Sequence, residues 1–314
     1  MDGATLLLPA AARLGGQRLG DAVARALGRA DRGPRGLDGR RAQLLRHFEL
    51  VPNHWPMAAL TRQADAGDAA GAGWLRADPA YVRPDINGAR LLAIGESLAL
   101  ADEDVAAFLP ALKPLFGDAG FPIDAPDPSR WYLRLPTATK LPAFTAPDEA
   151  LGADLFEHLA EGSEGRRWRV LLGEAQVVLH NHLWNERRIA QGKPPVNSLW
   201  FWGGGVLPDF VRSPHAALHS DDEAAVALAH AAGIAHAPLP PRFDAAAAAG
   251  AVFDLSAQRD LAAIERDWLG PALAALGDGT LPSLVLDLAD GAAFGLARGQ
   301  RWRFWRRPLA RLDA

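Results

Sequence analysis

Alternation governs the second half of the chain. Short apolar runs at 216–219, 251–255 and 283–288 are separated by stretches of helical spacing at 222–232 and 259–276. A strand buried on both faces reads as a continuous apolar run, and it reaches a parallel neighbour only through a long crossover, usually helical. The pattern therefore predicts an α/β chain built on a mostly parallel sheet with helices on both faces. The run 5–8, closed by Pro9, supplies a first buried strand, 19–27 has helical spacing, and 300–305 reads as a last strand. Residues 44–50 and 56–63 read as helices, and 30–41, full of Gly, Pro and Arg, as a surface loop.

The pattern changes after the Gly/Ala/Asp stretch 64–73. Strand-like runs at 74–77 and 89–94, a helix over 102–116 and runs at 121–123 and 131–135 form a β-β-α-β-β unit. Pro110 and Pro114 are expected to kink or shorten the second half of that helix. The unit has the size of an inserted α+β subdomain, placed at 70–165, within a core made of 1–69 and 166–314. A long helix over 164–191 follows, then the breaker Gly192-Lys193-Pro194-Pro195 and a strand at 198–202 ending in Gly203-Gly204-Gly205.

Composition narrows the chemistry. The chain has 314 residues, 33 Lys and Arg against 37 Asp and Glu, and a net charge of −4, so no global field draws it to nucleic acid or an anionic membrane. Cys is absent, which excludes disulfides, thiolate metal sites and thiol catalysis. No stretch reaches the ~18 consecutive apolar residues of a membrane span. Asp2 and Pro9 around the short run 4–8 argue for a cytoplasmic strand rather than a signal peptide.

The densest polar cluster is 180–188, with Asn197 just beyond. On a helix His182 and Asn185 share a face while His180 and His182 diverge, which disfavours a two-His metal clamp. Two readings fit: the polar side chains tie a helix end to the Pro-rich loop, or they line a binding cleft. Gly203, Gly204 and Gly205 allow backbone N–H groups to approach an anion, but lack the residues of a P-loop or dinucleotide fingerprint, and tight packing of the turn is the better explanation. His215, His219, Asp221, Asp254 and Asp287 are weak metal candidates. On a strand, His215 and His219 stand roughly 13 Å apart, too far for one ion. The segment Arg301-Trp302-Arg303-Phe304-Trp305-Arg306-Arg307 has the composition of a base-stacking surface, yet strand alternation would turn Trp302 and Phe304 into the core.

Read as one phrase, His182, Asn185, Arg188, Gly192, Pro195, Asn197, Trp200, Trp202, Gly203 and Gly205 resemble in type and spacing a segment of the archaeal-type cofactor-independent phosphoglycerate mutases of the alkaline phosphatase superfamily. The stretch 262–271 resembles a later helix of that family, and the wording of 197–205 is similar to that of a proteobacterial group of RpfE-type regulatory or phosphoglycerate mutase-like proteins. The resemblance implies an alkaline phosphatase-like core with an insert, two metal ions held by Asp and His, and a Ser that carries the phosphoryl group.

This sequence departs from each implied catalytic element. Its first strand ends Leu8-Pro9-Ala10 where Asp-Gly is implied. Asp254 is followed by no His in Leu255-Ser256-Ala257-Gln258, and Asp287 lies in Leu286-Asp287-Leu288-Ala289-Asp290-Gly291, again without His. Region 11–75 contains no Ser, and Thr61 is its one Ser/Thr hydroxyl. Phosphoryl transfer by two metals loses several kcal/mol of transition-state stabilisation without them. The sequence therefore predicts a degenerate core: a cytoplasmic regulatory or ligand-binding protein without cofactor. Its expected partner is a small anionic ligand or a protein, with neither nucleic acid nor membrane expected. His182, Asn185, Arg188, Asn197 and Gly203–Gly205 are the candidate lining, and Arg188→Ala is expected to abolish ligand binding while sparing the fold. A phosphatase or phosphomutase with a rearranged metal site is the alternative, and a nucleic-acid factor acting through 301–307 the second.

Overall fold

The computed structural model describes residues 3–86, 88–137 and 139–313. The chain divides into two compact units, one of residues 1–53 and 209–314, the other of 54–208.

In the first unit the apolar runs form a seven-stranded sheet. Its order is Ala235–Ala237, Ala217–His219, Ala251–Asp254, Ala4–Leu8, Ser283–Leu288, Ala293–Ala297 and Asp31–Arg32. The first five strands pair in parallel and the last two join antiparallel, so the parallel-dominated α/β class stands as expected. Every residue of Ala4–Leu8 is buried, which requires cover on both faces of the sheet. Leu6 and Leu8 join one core with Val23, Ala24 and Leu27 of the helix Asp21–Arg29 and with Leu261, Ile264, Trp268 and Leu269. That last stretch runs helical from 261 to 278 with a π turn at Glu265–Leu269; Asp260 caps its start by accepting from the Ala262 and Ala263 N–H groups. A left-handed Gly279 ends it.

Two expectations fail here. The helix near residue 44 begins earlier, at Arg40–Leu45, and Glu49–Val51 is a strand paired antiparallel with Phe210–Arg212. Strand pairing and the burial of Leu50 override the helical reading of 44–50. The final strand is Ala293–Ala297 rather than 300–305, where Arg298–Trp302 instead forms a 3₁₀ turn. Strand alternation consequently does not bury the aromatic residues of 302–305.

The second unit is antiparallel. Its thirteen-residue strand Gly73–Asp85 pairs with Gly88–Ile94, Arg130–Leu135 and Ser198–Gly205, and Ile123–Asp127 pairs with Arg130–Leu135. The β-β-α-β-β order is therefore present, with its helix at Asp102–Asp118. The expected 70–165 boundaries shift outward because flanking elements belong to the same packing. Ser198–Gly205 completes the sheet, and Leu171, Leu172, Ala175 and Leu179 of Gly162–His180 share a core with Leu75, Phe108 and Leu133. The 64–73 stretch lies inside the unit, with Ala69 and Ala72 buried beside Trp74.

Pro110 and Pro114 do not stop the helix Asp102–Asp118, whose Phe108, Leu109, Leu112 and Phe116 are buried. Burial of such side chains, each contributing about 1.5–3 kcal/mol, competes with the proline penalty of roughly 3 kcal/mol. The single helix expected over 164–191 is two, Gly162–His180 and Trp184–Ala190. The Asn185 side chain takes the Leu179 carbonyl at 2.9 Å, and the His182 Nδ1 accepts from the Trp184 N–H at 3.2 Å, so side chains serve backbone groups at the break.

Candidate functional site

The register of the parallel sheet sets out the candidate site. Leu7 pairs with Asp254 on one side and with Asp287 on the other, so two carboxylates flank the first strand near its carboxyl end, about 10 Å apart by strand spacing. Carboxyl ends of parallel strands are where open α/β sheets place their ligands.

The short helix Arg40–Leu45 and the two residues after it fill this location. Gln43 Nε2 donates to the Leu8 carbonyl at 3.0 Å and the Asp287 carbonyl at 2.7 Å, fixing the helix over the strand ends. Arg40 pairs with Asp254 and lies 3.4 Å from Asp222. Arg46 grips Asp287 in a two-pronged pair, Nε to Oδ2 at 2.9 Å and Nη2 to Oδ1 at 2.5 Å. The Ser220 hydroxyl donates to Asp254 at 2.7 Å, and the Ser256 N–H adds a contact at 3.2 Å.

Two histidines extend the cluster. His47 Nε2 lies 2.8 Å from Asp287 Oδ2, and its Nδ1 lies 2.9 Å from His215 Nε2. Burial pushes the Asp287 carboxyl up, but the hydrogen bonds and charges of Arg46 and His47 outweigh it and hold it below the ordinary carboxylate range. Burial and then the neighbouring His47 push His215 down to about 4, so it is neutral at pH 7.

That shift has a measurable consequence. A histidine ordinarily titrates near 6.5, so below that pH the unfolded chain binds a proton that folded His215 refuses. Stability is therefore fully present above about 6.5 and falls as the pH drops toward 4, by about 2 kcal/mol between pH 7 and pH 5. Urea unfolding across that range should show the loss in the parent and a flattened acid limb in His215→Gln. Identical limbs in the two proteins would count against the buried neutral assignment.

The sequence-derived metal candidates are dispersed among other tasks. His219 stacks on Phe253 with ring centroids 4.8 Å apart. Asp221 accepts from the Leu239 N–H, and Asp222 caps Glu223–Ala231 by accepting from Ala225. Asp254 and Asp287 are the carboxylates held by arginines. Among the described residues no group of three or more His, Asp or Glu is placed to hold a metal ion. The two-metal centre implied by the sequence resemblance does not fit this donor set, because guanidinium groups already neutralise the two strand-end carboxylates.

The candidate lining lies in the other unit. Asn185 bonds the Leu179 and Val196 carbonyls and receives the Val196 N–H. Asn197 makes a strand-like pair with the N–H and carbonyl of Val82 at 2.8 and 2.7 Å. Arg188 is 1% exposed, forms an ion pair with Asp104, and donates to the Leu98 and Pro194 carbonyls. The His182 ring packs on Phe108 at 4.8 Å. Gly203, with φ +68°, and Gly205 come so close to the helix Met57–Ala66 that added Cβ atoms would lie 3.1 Å from Met57 Cβ and 2.8 Å from Pro56 Cβ; a Cβ on Gly204 would meet Leu141 at 2.4 Å. The geometry assigns these residues to holding the unit together. Thr61 donates to the Met57 carbonyl at 2.7 Å and receives Arg76 at 3.3 Å, both inside that unit.

Arg40, Gln43, Arg46 and His47 are absent from the residues singled out by sequence reasoning. Their signal was the spacing i, i+3, i+6, i+7, one face of a helix continued into its end. Placing a loop over 30–41 cut that face in two.

No family model matches the chain. A stretch of 62 residues is 40% identical to a probable 2,3-bisphosphoglycerate-independent phosphoglycerate mutase of Geobacter sulfurreducens, covering 20% of this chain and 16% of that protein. A stretch of 66 residues is 41% identical to the 2,3-bisphosphoglycerate-independent phosphoglycerate mutase of Methanosarcina barkeri, covering 21% and 17%. The likeness thus spans about a sixth of these relatives' length. A cofactor-independent phosphoglycerate mutase structure from Thermoplasma acidophilum covers 95% of this chain and 90% of its own, at 15% identity and a TM-score of 0.44. A Pyrococcus horikoshii structure covers 95% and 88%, at 13% identity and a TM-score of 0.47. The resemblance to archaeal-type cofactor-independent phosphoglycerate mutases stands, carried by one segment of the sequence.

Proposed function

We propose that this chain is a phosphoglycerate mutase-like protein that has exchanged two-metal phosphoryl transfer for internal ion pairs, and that it acts by binding a partner rather than by catalysis. One observation carries the reading: each strand-end carboxylate, Asp254 and Asp287, is neutralised by an arginine of the chain itself, Arg40 and Arg46. A metal ion would have to displace a charge-assisted pair from each carboxylate and then find further ligands. The region 11–75, where the resemblance implies a Ser nucleophile, contains no Ser, and its Thr61 hydroxyl donates to the Met57 carbonyl. A regulatory role, in keeping with the RpfE-type wording of 197–205, accounts for a mutase-like segment kept without the chemistry.

Elemental analysis of the purified chain after incubation with Mn, Zn and Mg, together with assays of phosphoglycerate interconversion and phosphate-ester hydrolysis, tests the proposal. The expected result is no tightly retained metal and no turnover above a heat-treated control. Two tight equivalents per chain with metal-dependent turnover would overturn it in favour of a rearranged metallophosphomutase.

A further inference from the structure

We propose that the turn formed by residues 301–307 docks the protein on an anionic phospholipid surface. Trp302 is 66% exposed, Phe304 78% and Trp305 69%, three large rings turned to solvent within four positions. Their placement is fixed from below. Arg303 donates to Asp31 at 2.5 Å and to the Arg29 carbonyl at 3.0 Å, and Arg306 donates to the Ala30 carbonyl at 2.8 Å. The Leu309 N–H bonds the Ala24 carbonyl at 2.8 Å while its side chain is buried in the core. The stem is thus fastened to the unit and the rings project from it.

Charge complementarity selects the occupant. Residues 298–311 hold six arginines and no Asp or Glu, and among the described residues only Arg303 of the six pairs with a carboxylate, Asp31, in a chain whose net charge is −4. Screening over about 8 Å at physiological salt makes this local excess, not the overall charge, the field a surface meets. An apolar wedge bordered by exposed Arg301 and Arg307 matches a bilayer interface. There, tryptophan places its ring among the acyl boundary groups and its N–H in water, and arginine reaches the phosphates. Single-stranded nucleic acid asks instead for open ring faces along a groove. Here Phe304 and Trp305 meet edge to face at 5.4 Å and the Arg301 guanidinium lies 5.0 Å over Trp302. This inference stands independently of the loss of metal chemistry.

Sedimentation of the full chain with phosphatidylcholine vesicles, with and without one-third phosphatidylglycerol, is the test. The expected result is binding to the anionic vesicles only, weakened by salt at about 0.5 M. The double variant Arg301→Gln/Arg307→Gln should bind roughly 25-fold more weakly, about fivefold per arginine. The triple variant Trp302→Ser/Phe304→Ser/Trp305→Ser should lose binding altogether, with unchanged thermal melting because the three rings are exposed. Four results would each overturn the proposal: absence of binding by the parent chain, equal binding by the triple variant, pelleting without vesicles, or preference for a single-stranded oligonucleotide over the vesicles.

Discussion

Arg188→Ala should cost the 54–208 unit about 3–5 kcal/mol, the loss typical of a buried ion pair stripped of one partner. The Arg188 side chain meets Asp104 at 2.7 Å, and the two residues are 1% and 2% exposed. Asp104 also accepts from the Ala101 N–H at 2.9 Å and the Trp184 indole at 2.7 Å, so one carboxylate joins the start of Asp102–Asp118 to the start of Trp184–Ala190. Burial pushes this carboxyl up, while Arg188, Trp184 and the backbone bond outweigh burial and hold it below the ordinary range. Removing the guanidinium leaves that carboxylate buried without its cation and deprives the Leu98 and Pro194 carbonyls of donors. Arg188→Lys should recover only part of the loss, because a point charge cannot serve three acceptors spread around a planar fork. Urea unfolding followed by circular dichroism gives the number. A loss below about 1 kcal/mol would return Arg188 to the role of a ligand-facing side chain.

The sequence made Arg188 conspicuous for a sound reason and left two tasks open to it. A polar side chain inside a resemblance motif marks a position where chemistry is demanding, but a buried ion pair and a substrate clamp demand the same residue type. Asp104, the partner that separates the two readings, lies 84 positions away, and no local pattern links them. The strands Ala4–Leu8, Ala251–Asp254 and Ser283–Leu288 were legible because burial on both faces leaves an apolar run that needs no partner to be recognised. The turn 301–307 was misread because its alternation of ring and cation satisfies the two-residue period of a strand. The neighbouring run Ala293–Ala297 took the place beside Ser283–Leu288 in the sheet instead. At the carboxyl ends of the strands, Asp254 and Asp287 could be found by position. Their neutralising arginines could not, since Arg40 and Arg46 reach them from 214 and 241 residues away.

Asp287→Ala should lower the stability of the unit 1–53 with 209–314 by about 2–4 kcal/mol, the lower end allowing for the partial exposure of Arg46. The substitution leaves the Arg46 fork and the His47 ring without the carboxylate that both contact. The sign is what makes the measurement informative about function. In a metal-free two-metal centre, clustered carboxylates repel, so removing one is neutral or stabilising until metal is added. In a centre whose carboxylates are paired with arginines, removing one is destabilising with or without metal. Combining Asp287→Ala with Arg46→Ala should restore part of the loss, giving a coupling energy of roughly 1–3 kcal/mol in a double-mutant cycle. Additive losses, or an Asp287→Ala protein more stable than its parent, would mean that the Arg46 pair does not neutralise the carboxylate and would reopen the site to divalent ions. The expected coupling would place on Arg46 of the chain itself the positive charge that Asp287 faces, the observation on which the proposed exchange of metal chemistry for ion pairs rests.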